Sequence, residues 1–199
     1  ARIWVLDART LGVLRMLETG SAPAGLSVSG DGRWLASADR DSDQVSIYAL
    51  EGLTLHRRPT VGTRPFGLRF APDGRLFVAN VGTNDVTVID PQSGETLATV
   101  AVGERPYGVA FARGRAFVTN QYADTVSVID LAGLAVIETL DVGEYPEGID
   151  TTSDGTTVVV ANWFSNTVSL IDAATMTVVG EIETADGPRA FCTFIQQRN

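Results

Sequence analysis

Residues 102–130 read VGERPYGVAFARGRAFVTNQYADTVSVID, and this stretch decides the fold. It holds three short runs rich in β-branched and aromatic residues, separated by polar turns. The third run, residues 125–129, alternates apolar and polar side chains, which is the period of a strand with one buried face. A fourth run of this kind follows at residues 136–142. Four strands within about 40 residues are typical of one blade of a β-propeller.

The same pattern recurs along the whole chain of 199 residues. A proline marks the start of each repeat, and the first four of these prolines open a Pro-x-Gly triplet. The marker prolines, separated by 40 to 42 residues, are Pro23, Pro65, Pro106, Pro146 and Pro188. No segment has the 3.6-residue period of an amphipathic helix. The sequence therefore predicts an all-β chain, a β-propeller of four-stranded antiparallel blades with about five blade repeats.

The repeats predict a single domain over residues 1–199. Its boundaries are a partial repeat at 1–22, full repeats at 23–64, 65–105, 106–145 and 146–187, and a closing inner strand at 188–199.

The chain resembles the YVTN-repeat β-propeller family of exported bacterial and archaeal proteins. The resemblance rests on the unit Val-Gly-x-x-Pro-x-Gly-Val-Ala, then Phe-Val-Thr-Asn, then Thr-Val-Ser-Val-Ile-Asp, at residues 102–130 and again at 142–172. It covers essentially the entire chain and implies a propeller, usually of seven blades. It also implies a periplasmic or secreted location. The chain begins without methionine in a strand-like segment, so we expect that any export signal has already been removed. Function is less specific, since propellers of this kind serve as binding modules, surface-layer components and accessory proteins of oxidoreductases.

The repeat count leaves two architectures open. The chain holds four complete repeats, a leading pair of strands (residues 2–7 and 13–18) and a final inner strand (residues 189–195). In one interpretation the final strand joins the leading pair as a small fifth blade and closes the ring. In the other, the chain is the carboxyl-terminal part of a larger ring whose other blades are missing or supplied by another chain. We favour the second interpretation, because the leading blade lacks its second strand and the family usually has seven blades.

Composition excludes several classes of chemistry. The chain has 15 basic residues, all of them arginine, against 24 acidic ones, for a net charge of −9. Without lysine there is no phosphate-loop or Schiff-base lysine, and an acidic surface disfavours nucleic acid and anionic membranes as partners. His56, the one histidine, is expected on an exposed edge strand, and Cys192, the one cysteine, in a buried inner strand with a reactive thiol as the alternative. We predict no metal, no cofactor and no membrane insertion.

Residues that recur in every repeat are interpreted as scaffold. Three aspartates that end the third strand are expected to accept backbone hydrogen bonds in turns, and three asparagines to bond backbone between blades. These sets are Asp90, Asp130 and Asp172, and Asn80, Asn120 and Asn162. Gly67, Gly108 and Gly148 are expected where neighbouring strands approach too closely for a side chain.

Function is therefore sought where the repeats differ. The loop that enters the inner strand and the loop between the second and third strands lie at one mouth of a propeller channel, so their variable residues come together. The predicted ligand-binding or partner-binding residues are Arg64, Phe66, Arg105, Tyr107, Tyr122, Tyr145, Glu147, Trp163, Phe164 and Arg189. Arginine and aromatic side chains suit a partner protein or a small anionic ligand. The alternative is that the arginines pair with neighbours such as Glu104, Glu144, Glu147 and Asp186.

The sequence favours a non-enzymatic exported propeller that binds a partner protein or a small anionic ligand at this mouth, and it singles out no catalytic residue. Two alternatives stay open. One is a structural or accessory subunit of a periplasmic redox complex or a surface layer. The other is a lactonase-like propeller enzyme that uses carboxylates and arginines or a divalent metal held by oxygen ligands.

Overall fold

A computed structural model describes residues 1–191 and 193–195 of the chain. These residues form β-strands joined by turns and two short 3-10 segments, Arg40–Ser42 and Glu51–Leu53. Neither helical segment is long and apolar enough to cross a membrane. The all-β prediction is confirmed.

The strands make four antiparallel sheets of four strands and one sheet of two. The two-stranded sheet is β1 (Arg2–Leu6) and β2 (Val13–Glu18). Blade I is β3 (Pro23–Val28), β4 (Trp34–Asp39), β5 (Gln44–Ala49) and β6 (Thr54–Arg57). Blade II is β7 (Pro65–Phe70), β8 (Leu76–Asn80), β9 (Asp85–Ile89) and β10 (Thr96–Ala101). Blade III is β11 (Pro106–Ala112), β12 (Arg115–Asn120), β13 (Thr125–Asp130) and β14 (Ala135–Asp141). Blade IV is β15 (Pro146–Thr151), β16 (Thr157–Asn162), β17 (Thr167–Asp172) and β18 (Thr177–Glu183).

The hydrophobic core lies between the blades rather than within them. The second strand of each blade is buried on both faces, as in β8, whereas the fourth strand is mostly exposed. One cluster joins Ile47 of blade I to Val78 of blade II, another joins Phe77 of blade II to Val118 of blade III, and a third joins blades III and IV. Because each sheet buries both faces against its neighbours, the stack of blades is what stabilises the fold.

The inner strands approach one another at the predicted glycines. A Cβ atom at Gly67 would lie 1.9 Å from the carbonyl oxygen of Tyr107 in the next inner strand, and one at Gly148 would lie 2.5 Å from that of Ala190. The obstacle in both cases is backbone, which cannot move aside as a flexible side chain can. The expectation of a close approach is therefore met.

The ends of the chain correct one expectation. The sheet of β1 and β2 has no third strand, and residues 189–191 and 193–195 form no strand, so among the described residues the predicted closing inner strand is not formed and the ring stays open. This last segment does run beside β15, but the Asp150 carboxylate holds its backbone, accepting N–H bonds from Phe194 and Ile195. Hydrogen bonds to the Asp150 side chain thus take the place of the backbone hydrogen bonds that a paired strand would make. Cys192 lies outside the described residues.

His56 is on the edge strand β6, as predicted, but it is only partly exposed. Its ring centroid lies 4.6 Å from that of Trp34, and its Nε2 is 2.8 Å from the carbonyl oxygen of Gln92. The expectation of an exposed edge strand is met, since the other three residues of β6 are exposed, while the His56 ring itself is partly covered by Trp34 and by the neighbouring blade.

Candidate functional site

The loops that enter the inner strands share one backbone conformation. The residue before each marker proline has a positive φ, between 51° and 66°, although four of the five are not glycine. These residues are Ala22, Arg64, Arg105, Tyr145 and Gly187. A left-handed conformation is uncommon for a large residue and unexpected before proline, so tertiary contacts must hold it.

Those contacts come from the two flanking blades. The N–H of Tyr145 donates to Asp124 Oδ1 of blade III at 2.9 Å, and its carbonyl accepts from the N–H of Trp163 of blade IV at 3.0 Å. Arg105 is held in the same way, by Asn84 Oδ1 at 2.9 Å and by the N–H of Gln121 at 2.9 Å. The entering loop and the loop between the second and third strands are therefore fixed together at one face.

Four aromatic rings from these loops form a continuous surface, here called the aromatic row: Tyr122, Tyr145, Phe164 and Trp163. Tyr145 is its centre, with ring centroids at 5.1 Å to Tyr122 and 4.2 Å to Phe164. Phe164 in turn lies 4.5 Å from Trp163. Two of the four rings remain open to solvent, since Phe164 is 52% and Tyr122 42% exposed.

An arginine covers each end of the aromatic row. The guanidinium carbon of Arg105 lies 4.0 Å from the ring centroid of Tyr122, and that of Arg189 lies 3.8 Å from the ring centroid of Trp163. Both distances are those of cation–π contacts. The two ends differ, because Arg189 also forms an ion pair, Nε to Glu147 Oε2 at 3.2 Å, while Arg105 has no carboxylate within 4.0 Å in the described part of the chain.

The buried carboxylate of Glu147 contacts residues at both ends of the aromatic row. It is 3% exposed, and its Oε1 accepts a bond from Gln121 Nε2 at 2.7 Å and a longer one from Arg189 Nη2 at 3.4 Å. Gln121 directly precedes Tyr122. The buried carboxylate therefore positions both the loop that carries Tyr122 and the guanidinium that lies on Trp163.

Phe66 and Tyr107 do not belong to this surface. They stack on each other at 4.2 Å and line the channel beside the inner strands, in a cavity of about 750 Å³ that Phe191 also borders. Burial, and next the negative charge of Glu147, raise the pKa of Tyr107 to about 12. The hydroxyl of Tyr107 thus stays protonated at neutral pH.

Arg64 lies in a second, polar cleft of about 690 Å³ at the same mouth, which Arg105 also lines. No carboxylate lies within 4.0 Å of its guanidinium among the described residues, whereas its neighbour Arg40 is paired with Asp41 at 2.9 Å. Of the three arginines predicted at the mouth, Arg189 follows the ion-pair alternative, and Arg64 and Arg105 do not.

The structure therefore divides the ten predicted binding residues into three groups. The aromatic row with its two arginines and Glu147 forms one site, Phe66 and Tyr107 line the channel, and Arg64 lies in the polar cleft. Whether any of them binds a ligand or a partner stays a prediction.

One partly buried ion pair on the channel wall was not predicted from the sequence. Arg69 Nη2 of blade II donates to Asp150 Oδ1 of blade IV at 3.0 Å, and Asp150 is 1% exposed. The pair crosses blade III, whose inner strand has Ala110 at the equivalent repeat position. A charged residue where other repeats have Ser27 or Ala110 was the available signal.

The recurring polar residues are scaffold, with one correction. Asp90 and Asp172 accept backbone N–H bonds in their turns, as predicted. The asparagines bond within their own blade instead of across blades. Asn120 Nδ2 donates to the hydroxyls of Thr125 and Ser127 on the paired strand, and Asn162 bonds two hydroxyls in the same way. Asn80 Nδ2 donates to the Asp85 carboxylate and to the Thr87 hydroxyl.

The described residues form no cluster of potential metal ligands. Among residues 1–191 and 193–195, no group of three or more His, Cys, Asp or Glu side chains comes together as a metal site would require. Glu147 and Asp150, the most buried carboxylates of the channel, are each engaged by an arginine.

Comparison with family models defines the class of protein. Residues 112–197 match the model described as YNCE-like beta-propeller, and residues 8–112, just over half of the chain, match the model described as Lactonase, 7-bladed beta-propeller. Both define a β-propeller, which supports the YVTN-repeat resemblance at the level of the fold and no further. The chain belongs to the lactonase family of seven-bladed β-propellers.

Solved structures show the same fold. The chain is similar to a structure of hydrazine synthase from Kuenenia stuttgartiensis, with a TM-score of 0.75 and 22% identity over 83% of this chain and 51% of that one. It is also similar to a functionally unknown protein from Desulfotomaculum acetoxidans DSM 771, with a TM-score of 0.84 and 16% identity over 94% of this chain and 64% of that one. The chain thus spans between half and two thirds of these structures. No curated protein matches it.

Proposed function

We propose that this propeller is a non-enzymatic binding module that holds a partner protein or a small anionic ligand on the aromatic row. The observation that carries the proposal is the row itself, four touching rings with an arginine over each end. Exposed large rings that form one patch are uncommon on a surface without a partner, and Tyr, Trp and Arg are the residues that dominate binding interfaces. An exported location, implied by the YVTN-repeat resemblance, is part of the same proposal.

The backbone around the row supports this proposal. Positive φ angles at Arg105 and Tyr145 present these side chains from loops that are clamped on both sides. A preformed surface loses less conformational entropy on binding than a mobile one. The geometry therefore suits recognition, because the rings and guanidinium groups are held in place before a partner binds.

Selection from a phage library of random peptides tests this proposal. Clones selected on the wild-type chain are expected to bind the Phe164→Ala variant about ten-fold more weakly, since an exposed interface ring contributes at least 1.4 kcal/mol. Trp4→Ala is the matched control, because Trp4 is 58% exposed and lies on the distant strand β1. An absence of binding clones, or clones that do not respond to Phe164→Ala, would contradict the proposal.

Lactone hydrolysis is the second candidate, because residues 8–112 match the lactonase model. Its carboxylates would be Glu147 and Asp150, the buried acids of the channel wall. The expected result under our proposal is that sugar lactones hydrolyse at the buffer rate with or without added Ca²⁺. Turnover that is lost in a folded Glu147→Gln variant would favour the enzyme.

A structural or accessory subunit is the remaining alternative. The outer face of the two-stranded sheet is apolar and exposed, with Trp4 opposite Met16 in the register. Native mass spectrometry separates this alternative, since an obligate assembly would favour a subunit and a stable monomer favours the binding module.

A further inference from the structure

We infer that the aromatic row recognises an acidic segment of a partner protein, with a carboxylate at the Arg105 end and an apolar side chain on the exposed rings. The inference rests on the proposed binding function and names the chemistry of the partner. The two ends of the row each have an arginine but differ in net charge, and this difference sets the direction of the bound segment.

At one end the positive charge is already used. Arg189 pairs with Glu147, a carboxylate that is 3% exposed, so its guanidinium acts as a positioned platform beside Trp163. A second carboxylate brought there would meet Glu147 as a like charge. The Arg189 end therefore suits a neutral or apolar group of the partner.

At the other end the guanidinium of Arg105 lies over the ring of Tyr122, with no carboxylate within 4.0 Å among the described residues. The adjoining polar cleft holds Arg64, which has none either. The acids of the same cleft are partly engaged, since Asp41 pairs with Arg40 and Asp43 accepts the N–H of Arg64. A guanidinium group can donate two parallel hydrogen bonds to one carboxylate, and this bidentate geometry adds specificity as well as energy.

Short-range contacts, not the overall field, must provide this recognition. The chain has a net charge of −9, and Glu104 also lines the cleft, so an acidic partner gains nothing from the mean potential. Direct charge-assisted bonds at Arg64 and Arg105, combined with burial of an apolar side chain on Phe164, make a selective site from these parts.

The arrangement of the rings favours a protein over an acidic polysaccharide. Adjacent rings are inclined by 32° to 70° to one another, with Tyr145 and Trp163 edge-on. Such a surface is uneven and leaves gaps between the rings into which side chains fit. A sugar chain stacks best on rings that are nearly coplanar.

The test uses the sequences of the library clones and two synthetic peptides derived from the tightest clone, one as selected and one with its acidic residues replaced by serine. We expect acidic residues next to an apolar residue in the clones. Arg105→Gln should weaken the acidic peptide about ten-fold and leave the serine peptide unchanged. Arg113→Gln is the matched control, since Arg113 has a φ of 49° against 53° for Arg105 and lies in the β11–β12 turn at the opposite face.

The possible outcomes separate the inference from the function on which it rests. Equal affinity for both peptides, with both still weakened by Phe164→Ala, overturns the acidic segment and leaves the binding function intact. Insensitivity of both peptides to Phe164→Ala, or no clones at all, overturns both. Tighter Phe164-dependent binding of polygalacturonate than of the acidic peptide would identify an acidic polysaccharide instead, and would also overturn the inference.

Discussion

The entering loops of blades II and IV have the same backbone and opposite chemistry. Arg64 and Tyr145 have φ angles of 53° and 55°, and each donates its N–H to an aspartate of the preceding blade, at 2.8 and 2.9 Å. Yet Arg64 lies in a polar cleft, while Tyr145 is the centre of the aromatic row. The comparison teaches that the repeat determines where a loop residue is held, and that its side chain alone determines what the loop can bind.

The largest expected effect is a loss of stability when the ion pair between Arg69 of blade II and Asp150 of blade IV is removed. Asp150→Ala leaves Arg69 without its buried partner and releases the backbone of Phe194 and Ile195. Loss of one member of a buried pair costs about 3 kcal/mol or more in the free energy of unfolding. Asp41→Ala, which removes an exposed ion pair, should leave the free energy of unfolding nearly unchanged. Denaturant titrations measure both, and equal losses would contradict the structural role of Asp150.

The next effect concerns the shared scaffold. Gly67→Ala in blade II and Gly148→Ala in blade IV each place a methyl group against a backbone carbonyl of the next segment. Each should lower the free energy of unfolding by about 3 kcal/mol, the upper range for overpacking. Gly30→Ala is the control, because its Cβ would meet open space. A thermal melt in which all three variants behave alike would argue against close packing of the inner strands.

Exchange of side chains between the two loops sharpens the comparison. Tyr145→Arg gives blade IV the residue of blade II on an unchanged left-handed backbone, so the free energy of unfolding should change by only about 1 kcal/mol. Binding of the selected peptides should fall at least ten-fold, because the central ring is lost. The reverse variant, Arg64→Tyr, should weaken only the acidic peptide. A large loss of stability in Tyr145→Arg would show that the ring is core and not a binding surface.

The smallest effect is a pH dependence in the channel. The pKa of Tyr107 is raised to about 12, first by burial, so the folded state favours the protonated phenol. An unfolded tyrosine ionises near pH 10, so this stabilisation is complete below pH 10 and is lost as the pH rises towards 12. Tyr107→Phe should therefore lose stability less steeply over that range. Chemical denaturation at several pH values measures the slopes, and identical slopes would refute the buried phenol.

Most of the fold could be predicted from the sequence, because its determinants are local and repeated. The strand expected at 125–129 is found at Thr125–Asp130, and the one expected at 136–142 at Ala135–Asp141. Runs of β-branched residues between polar turns identify such strands without knowledge of their neighbours. No strand forms at residues 189–191 and 193–195, where the closing inner strand was predicted. The Asp150 side chain binds the backbone there, and the sequence pattern of a strand does not reveal such a bond.

The site was predicted less completely. Tyr145 and Trp163 do meet at one face, but the left-handed conformation of the residue before proline runs against the usual preference and depends on contacts from two blades. The separation of Tyr107 from Tyr122 depends on how neighbouring repeats pack. The bonds that Gln121 and Arg189 donate to Glu147 join different repeats. Alignment of repeats shows which positions vary, and it does not show which of them meet.

The most direct test of the central claim is to map a selected peptide on the chain by the backbone amide shifts of an isotope-labelled sample. The account predicts that the largest shifts occur at Tyr122, Tyr145, Trp163 and Phe164, with Arg105 at one border, while the turns at the opposite face, around Asp73 and Arg113, stay unchanged. Shifts centred on those turns, or spread evenly over all blades, would contradict it.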